Sequence, residues 1–146
     1  VMGYIAAGKN EGAQLLGGGE AVRLDTGGYY VQPTVFGGVE GGMTIAREEI
    51  FGPVLSVLGF TDIADAIQQA NATPYGLQAA VWTSDISKAI QTARALRAGT
   101  VHVNQYDGDD ITVPFGGYKQ SGNGRDKSLH ALDKYTELKT TWIQVG

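Results

Sequence analysis

Between residues 54 and 103, three short apolar segments alternate with two segments whose apolar residues recur at helical spacing. The apolar segments are residues 54–58, 77–82 and 100–103, which are bounded by Gly, Pro or Asn as strands usually are. The helical segments follow Asp62 and Asp85, two residues of a type that caps helices, and the second ends just before Gly99. Strands that alternate with helices in this order pair in parallel through right-handed crossovers. The sequence therefore predicts an α/β fold with a parallel βαβαβ core.

Further elements are predicted on both sides of this core. Residues 1–9 predict the tail of a helix, and residues 14–16 and 29–36 predict strands separated by glycine-rich turns. A helix is predicted from about Asp126 to Tyr135. The last segment, residues 136–145, runs from Thr136 to Val145 and is rich in Thr, Val, Ile and Trp. It predicts an edge strand that pairs with another chain.

Composition excludes several classes of function. The 146 residues, 42% of them hydrophobic, suffice for a folded core, and the net charge of -4 without a basic stripe argues against a nucleic-acid partner. The apolar runs are too short to span a bilayer and residues 1–3 do not begin a signal peptide, so we expect no membrane association and a cytoplasmic location. The chain has no cysteine, which excludes a disulfide framework or a thiolate site within it. His102 and His130 are interpreted as structural, and no metal site is predicted.

The sequence Glu-Glu-Ile-Phe-Gly-Pro-Val at residues 48–54 combines acidic and aromatic side chains at a backbone corner. Pro53 restricts its own φ and favours extended backbone at Gly52, so a helix cannot continue through this point. A carboxylate such as Glu49 accepts two hydroxyl hydrogen bonds, and an aromatic ring such as Phe51 stacks on a flat ring. The pattern fits recognition of a sugar diol with an attached base. The alternative is an ordinary acidic turn with a core phenylalanine.

Other motifs carry less information. Residues 3–10 approach a phosphate-binding loop, but Asn10 stands where Ser or Thr must reach magnesium, and residues 122–124 lack the third glycine of the dinucleotide fingerprint. Neither supports a nucleotide site of those types. Residues 107–110 form an acidic loop beside Tyr106. Its carboxylates either attract a cationic substrate or simply form a solvated turn.

Taken together, the sequence motifs resemble those of the NAD(P)-dependent aldehyde dehydrogenase family. The resemblance rests on residues 48–54, on Tyr-Gly-Leu at 75–77, and on Pro-Phe-Gly-Gly-Tyr-Lys-Gln-Ser-Gly at 114–122 followed by Gly-Arg at 124–125. Their order and spacing match the C-terminal third of the family along essentially the whole chain. Within the family, residues 113–139 are most similar to the dehydrogenases of putrescine breakdown that oxidise γ-glutamyl-γ-aminobutyraldehyde.

The resemblance implies a chemistry and a set of site residues. In this family a cysteine thiolate attacks the aldehyde, hydride passes to the nicotinamide, and a glutamate-activated water hydrolyses the thioester. Glu49 is then expected to bind the nicotinamide ribose hydroxyls, and Phe51 and Leu77 to border the nicotinamide end of the cofactor. The cofactor of the intact enzyme is expected to be NAD or NADP, and the isolated chain is expected to bind none.

The substrate residues follow from the same resemblance. Phe115 is expected to line the aldehyde tunnel, with Tyr106 and Asp107 at its mouth, where the acidic loop favours an aminoaldehyde. Many relatives carry a glutamate of a water relay at the position of Asp126, and the side chain of Asp126 is one methylene shorter. Arg125 is expected to be a structural support.

The resemblance also implies that this chain is a fragment. The nucleophilic cysteine, the general-base glutamate and the cofactor-binding domain precede this region in the family, so no catalytic residue is assigned here and the isolated chain is expected to be inactive. Residues 1–135 are then part of the catalytic domain, and residues 136–146 are an oligomerisation strand that makes a homo-oligomer. The alternative is a non-catalytic interaction module that retains the scaffold and pairs through its last strand.

Overall fold

The computed structural model describes residues 1–106, 108 and 110–146, which form two compact units, Val1–Ala72 and Thr73–Gly146. The first unit contains the helices α1 (Met2–Asn10), α2 (Thr44–Arg47) and α3 (Ile63–Asn71). Its strands are β1 (Gln14–Gly17), β2 (Ala21–Val22), β3 (Tyr30–Val31), β4 (Thr34–Gly37) and β5 (Val54–Ser56). The second unit contains β6 (Tyr75–Gly76), β7 (Gln78–Val81), α4 (Ile86–Ala95), β8 (Thr100–Val103) and β9 (Tyr118–Lys119).

The first unit is built on a three-stranded sheet in the order β1-β4-β5. β1 pairs antiparallel with β4, and β4 pairs parallel with β5, with Thr34 opposite Val54. One buried cluster joins α1, β4 and α2 and consists of Ile5, Ala13, Phe36, Val39 and Ile45. Ile45 of α2 belongs to this cluster, and Val54 at the start of β5 packs against it, so both elements contact the same core.

The predicted strand at residues 29–36 is interrupted in the structure. β3 pairs with β2 in a hairpin and ends at Val31, whereas β4 begins at Thr34 in a different sheet. Pro33 lies at the break, and proline has no N–H to donate to a strand partner. Beside this break, the Thr34 hydroxyl donates a hydrogen bond to the Gln32 carbonyl, at 2.8 Å.

The second unit confirms one parallel β-α-β connection. β7 and β8 pair in parallel from Gln78 opposite Thr100 to Val81 opposite Val103, and α4 connects them. β6 and β9 form a separate antiparallel pair. The α/β class is confirmed, and in the first unit β5 pairs in parallel with β4. β4, the parallel partner of β5, precedes the predicted βαβαβ segment in the chain.

Local capping signals correctly predicted where α3 and α4 begin. The Asp62 carboxylate accepts from the Asp65 N–H at the start of α3, and the Asp85 carboxylate accepts from Ser87 and Lys88 at the start of α4. α4 is ten residues long. Among the described residues no helix has the length and apolar character that crossing a membrane requires.

The C-terminal region differs from the sequence prediction. The helix expected from Asp126 to Tyr135 is reduced to a 3₁₀ helix at Leu129–Lys134, and residues 136–146 form no strand. These last residues are all exposed, including Leu138, Trp142, Ile143 and Val145. A strand is stabilised by hydrogen bonds to a neighbouring strand, and the chain places none beside this segment in the part described.

Candidate functional site

The segment of residues 48–53 connects α2 to β5 through a tight corner that the sheet holds in place. The Val54 N–H donates to the Gly52 carbonyl at 2.8 Å, which closes a three-residue turn around Pro53. The Pro53 carbonyl accepts from Thr34 on β4, also at 2.8 Å. The Ser56 hydroxyl donates to the Ile45 carbonyl at 2.9 Å and so ties β5 back to α2. Both ends of the segment are therefore anchored.

Phe51 projects from this corner into solvent. Its side chain is 88% exposed, and its backbone has a φ of 48°, in the left-handed region. A residue with a Cβ pays roughly 1–2 kcal/mol for that conformation. The alternative of a core phenylalanine is therefore wrong. An exposed aromatic residue held in unfavourable backbone geometry is a feature typical of ligand sites.

The two adjacent acids have different environments. Glu48 accepts a hydrogen bond from the Tyr4 hydroxyl of α1, at 3.0 Å. Glu49 is exposed, and its carboxylate makes no hydrogen bond or ion pair with the described residues. Glu48 is thus occupied within the fold, whereas Glu49 is available to a ligand.

Glu49 and Phe51 line the same open depression, with a volume of about 390 Å³. It is lined by Ile45, Glu48, Glu49, Ile50, Phe51, Gly52, Val54 and Ser56. The acceptor and the aromatic face that a ribose and its attached ring require are therefore together on one surface. Such a surface can accept hydrogen bonds from a diol and stack on a flat ring.

The remaining candidate residues belong to the second unit. Leu77 is 42% exposed, and its carbonyl accepts from the Thr100 N–H at 3.2 Å, which places it at the start of the β7 and β8 pair. Tyr106 is 74% exposed in the loop after β8. Asp107 lies outside the described residues.

Phe115 is half-buried and firmly held. Its N–H donates to the Asp126 carbonyl at 2.9 Å, and its carbonyl accepts from the Asp126 N–H at 2.6 Å. The Lys127 Nζ lies 5.3 Å from the centre of the Phe115 ring, within the range of a cation–π contact. The backbone of Phe115 is therefore paired with Asp126, and its ring contacts Lys127.

Asp126 and Arg125 have structural partners. The Lys134 Nζ donates to the Asp126 carboxylate, and this hydrogen bond raises the pKa of Lys134 above its ordinary value. Arg125 donates to the Gly117 and Gly124 carbonyls and lies 5.2 Å from the centre of the Tyr118 ring. Both side chains stabilise the loop around Phe115.

Sequence reasoning missed α2 and the contacts that hold it. Tyr4 and Glu48 are 44 positions apart, and Glu11 and Thr44 are 33 positions apart. No local pattern signals a hydrogen bond between residues so distant in the chain. Only the fold could identify them.

Three comparisons with known proteins agree. The sequence profile of the aldehyde dehydrogenase family matches residues 1–141. The NADP/NAD-dependent aldehyde dehydrogenase PuuC of Escherichia coli strain K12 is 54% identical over 145 residues, which are 99% of this chain and 28% of that protein. The crystal structure of an indole-3-acetaldehyde dehydrogenase with NAD+ is similar with a TM-score of 0.92 at 67% identity, over 99% of this chain and 29% of the other.

A γ-glutamyl-γ-aminobutyraldehyde dehydrogenase from Burkholderia cenocepacia J2315 has a TM-score of 0.90 at 62% identity, over 96% of this chain and 28% of the other. The chain thus spans under a third of the length of the relatives and structures that it matches.

Proposed function

Because this chain belongs to the aldehyde dehydrogenase family, we propose that it contributes the nicotinamide-ribose contact of an enzyme that oxidises an aldehyde to the carboxylic acid with NAD. The observation that carries the proposal is the exposed Glu49 carboxylate beside the exposed Phe51 ring, in one depression. Glu49 would accept hydrogen bonds from the two ribose hydroxyls, and Phe51 would border the nicotinamide. When bound, the cofactor supplies the acceptor for the hydride that leaves the aldehyde carbon.

The nucleophile must come from elsewhere under this proposal. The chain has no cysteine, so the thiolate that attacks the aldehyde carbon belongs to residues outside it. We therefore expect the purified chain to show no NAD-dependent oxidation of aldehydes. Turnover by the purified chain, measured as NADH absorbance, would contradict this.

An aminoaldehyde is the substrate class we propose. Support comes from the similarity to a γ-glutamyl-γ-aminobutyraldehyde dehydrogenase and from the acidic loop beside Tyr106. Phe115, Tyr106 and Asp107 would contact the substrate. In the gene product that contains this chain, Asp107→Asn should reduce kcat/KM for an aminoaldehyde by about 2- to 5-fold, the effect of losing one charge pair that water screens. It should leave a neutral aldehyde of equal length unaffected. Equal losses for both aldehydes would contradict the role of Asp107.

Glu49→Gln tests the cofactor contact directly. The amide keeps the shape of the side chain but loses the charge, so the KM for NAD+ should rise about 10-fold or more, as expected for a charge-assisted hydrogen bond. Glu20→Gln is the matched control, since Glu20 is also an exposed glutamate of the same unit. An unchanged KM for NAD+ in Glu49→Gln would refute the proposed function.

We further propose that residues 136–145 pair with a second copy of the chain. The supporting observation is that Leu138, Trp142, Ile143 and Val145 are almost fully exposed on a segment without strand partners in the described chain. Light scattering should give a dimer or larger, and deletion of residues 136–146 should give a monomer. A monomer before and after deletion would overturn the pairing. Association without any effect of Glu49→Gln would favour the non-catalytic module instead.

A further inference from the structure

We propose that α1 is a clamp that positions the cofactor-binding corner, with Tyr4 and Glu11 as its positioning residues. The inference rests on the proposed function of Glu49 and Phe51, and it adds two residues that contact neither a cofactor nor a substrate in that scheme. Both reach α2, the four-residue helix that leads into Glu49. A helix this short does not hold its shape in water without tertiary contacts. Contacts with other elements must therefore hold α2 in its helical conformation.

Glu11 fixes the start of α2. The residue at the N-cap position, Met43, provides no side-chain hydrogen bond to the N–H groups of the helix. The Glu11 carboxylate takes over this function: one oxygen accepts from the Thr44 N–H at 2.6 Å and the other from the Thr44 hydroxyl at 2.5 Å. A helix N-terminus leaves backbone N–H groups without partners, and a carboxylate is well suited to accept from them. Glu11 therefore replaces a missing local cap.

Tyr4 fixes the other end of α2. Its hydroxyl donates to the carboxylate of Glu48, the residue that immediately follows the helix and immediately precedes Glu49. Glu48 has extended backbone geometry, with φ of -115° and ψ of 147°. Holding its side chain on α1 therefore limits rotation of the corner that begins there.

Close packing of α1 supports the two hydrogen bonds. A Cβ on Gly8 would lie 2.9 Å from Ile45 Cδ1 and 3.3 Å from the Phe36 ring, so α1 and α2 touch where Gly8 has no side chain. A Cβ on Gly52 would lie 2.5 Å from a Val1 methyl group. The start of α1 thus packs against the corner itself. Such surroundings can keep Phe51 in its left-handed backbone conformation.

The test compares Tyr4→Phe and Glu11→Gln with matched controls in the gene product that contains this chain. Tyr29→Phe removes a hydroxyl from a fully exposed tyrosine. Asp65→Asn removes a carboxylate that accepts from the N–H and hydroxyl of Thr61, as Glu11 does from Thr44, but at the start of α3. Each clamp variant should raise the KM for NAD+ by about 3- to 10-fold with kcat within about 2-fold, as expected for loss of one hydrogen bond. The controls should leave both constants unchanged.

A double-mutant cycle separates positioning from general stability. If Tyr4 acts by placing Glu49, Tyr4→Phe should change the KM for NAD+ by less than about 2-fold when Glu49 is already glutamine. An equal effect in both backgrounds, or equal effects of the controls, would overturn the clamp. A large effect of Glu49→Gln with none from Tyr4→Phe or Glu11→Gln would also overturn the clamp while leaving the proposed function intact.

Amide hydrogen exchange on the purified chain gives a readout that needs no activity. Tyr4→Phe and Glu11→Gln should speed exchange at residues 45–52 and leave α3 as it is in the wild type. Asp65→Asn should speed exchange in α3 and leave residues 45–52 as they are in the wild type. Unchanged exchange at residues 45–52 in both clamp variants would overturn the inference even if the KM for NAD+ rises.

Discussion

The left-handed backbone at Phe51 predicts an unusual order of stability between glycine and alanine. With φ at 48°, alanine keeps the Cβ and its cost of roughly 1–2 kcal/mol, whereas glycine removes that cost. Glycine loses about 0.5–1 kcal/mol more than alanine in conformational entropy on folding. Phe51→Gly should therefore be more stable than Phe51→Ala by about 0.5–1 kcal/mol. The ring is 88% exposed, so its loss should cost little in either variant.

A position with ordinary helical geometry provides the control. Gln91 is exposed in the interior of α4. There Gln91→Gly should be less stable than Gln91→Ala by about 1 kcal/mol, the usual helix preference. The difference in stability between the glycine and alanine variants should thus have opposite signs at positions 51 and 91.

Urea unfolding followed by circular dichroism measures the difference. The midpoints of the two variants at each position are compared at a common slope, so that a change in midpoint reports the free energy of unfolding. If glycine is less stable than alanine at both positions, the strain assigned to Phe51 is absent and the reasoning is refuted. Under the proposed function, both Phe51 variants should also raise the KM for NAD+ by about 2- to 10-fold, since each lacks the ring.

Two further predictions concern α1 and its contact with α2. Gly3→Ala should stabilise the chain by about 0.5–1 kcal/mol, because alanine favours the helix and a Cβ there meets nothing within 4 Å. At Gly8 the same gain is opposed by contact of the Cβ with Ile45, so Gly8→Ala should be less stable than Gly3→Ala by about 1–3 kcal/mol; urea midpoints check both. The hydrogen bonds from Thr44 hold the pKa of Glu11 below its ordinary 4.5. Because the folded-state pKa is lowered, its stabilising contribution is present above pH 4.5 and lost as pH falls through the folded value. Glu11→Gln should therefore show a smaller loss of stability between pH 7 and pH 3 than the wild type, and an equal loss would contradict the assignment.

The elements that the sequence predicted correctly are those stabilised by neighbours in the chain. Asp62 and Asp85 cap their helices through N–H groups two or three residues ahead, so the signal and the structure lie in the same short segment. Local chemistry suffices for such elements.

Strand pairing and the C-terminal segment were not decided locally. The apolar run that begins at Val54 predicts a strand, but it does not indicate which strand pairs with it. In the structure this partner is β4. Residues 136–145 have strand-forming composition, yet they form no strand among the described residues. A strand depends on hydrogen bonds to another segment, and its own sequence does not say which segment supplies them.

The sequence alone determined which side chains the corner at residues 48–53 carries, and that Pro53 must turn the chain there. It could not decide between a buried and an exposed Phe51, nor show that Glu48 is hydrogen-bonded within the fold while Glu49 has no partner among the described residues. The tertiary structure made both distinctions, since α1 brings Tyr4 to Glu48 and leaves Glu49 in solvent. Residue type and backbone restriction are properties of a short segment. Whether a side chain is exposed, and which group it bonds, depends here on residues that lie more than 30 positions away in the chain.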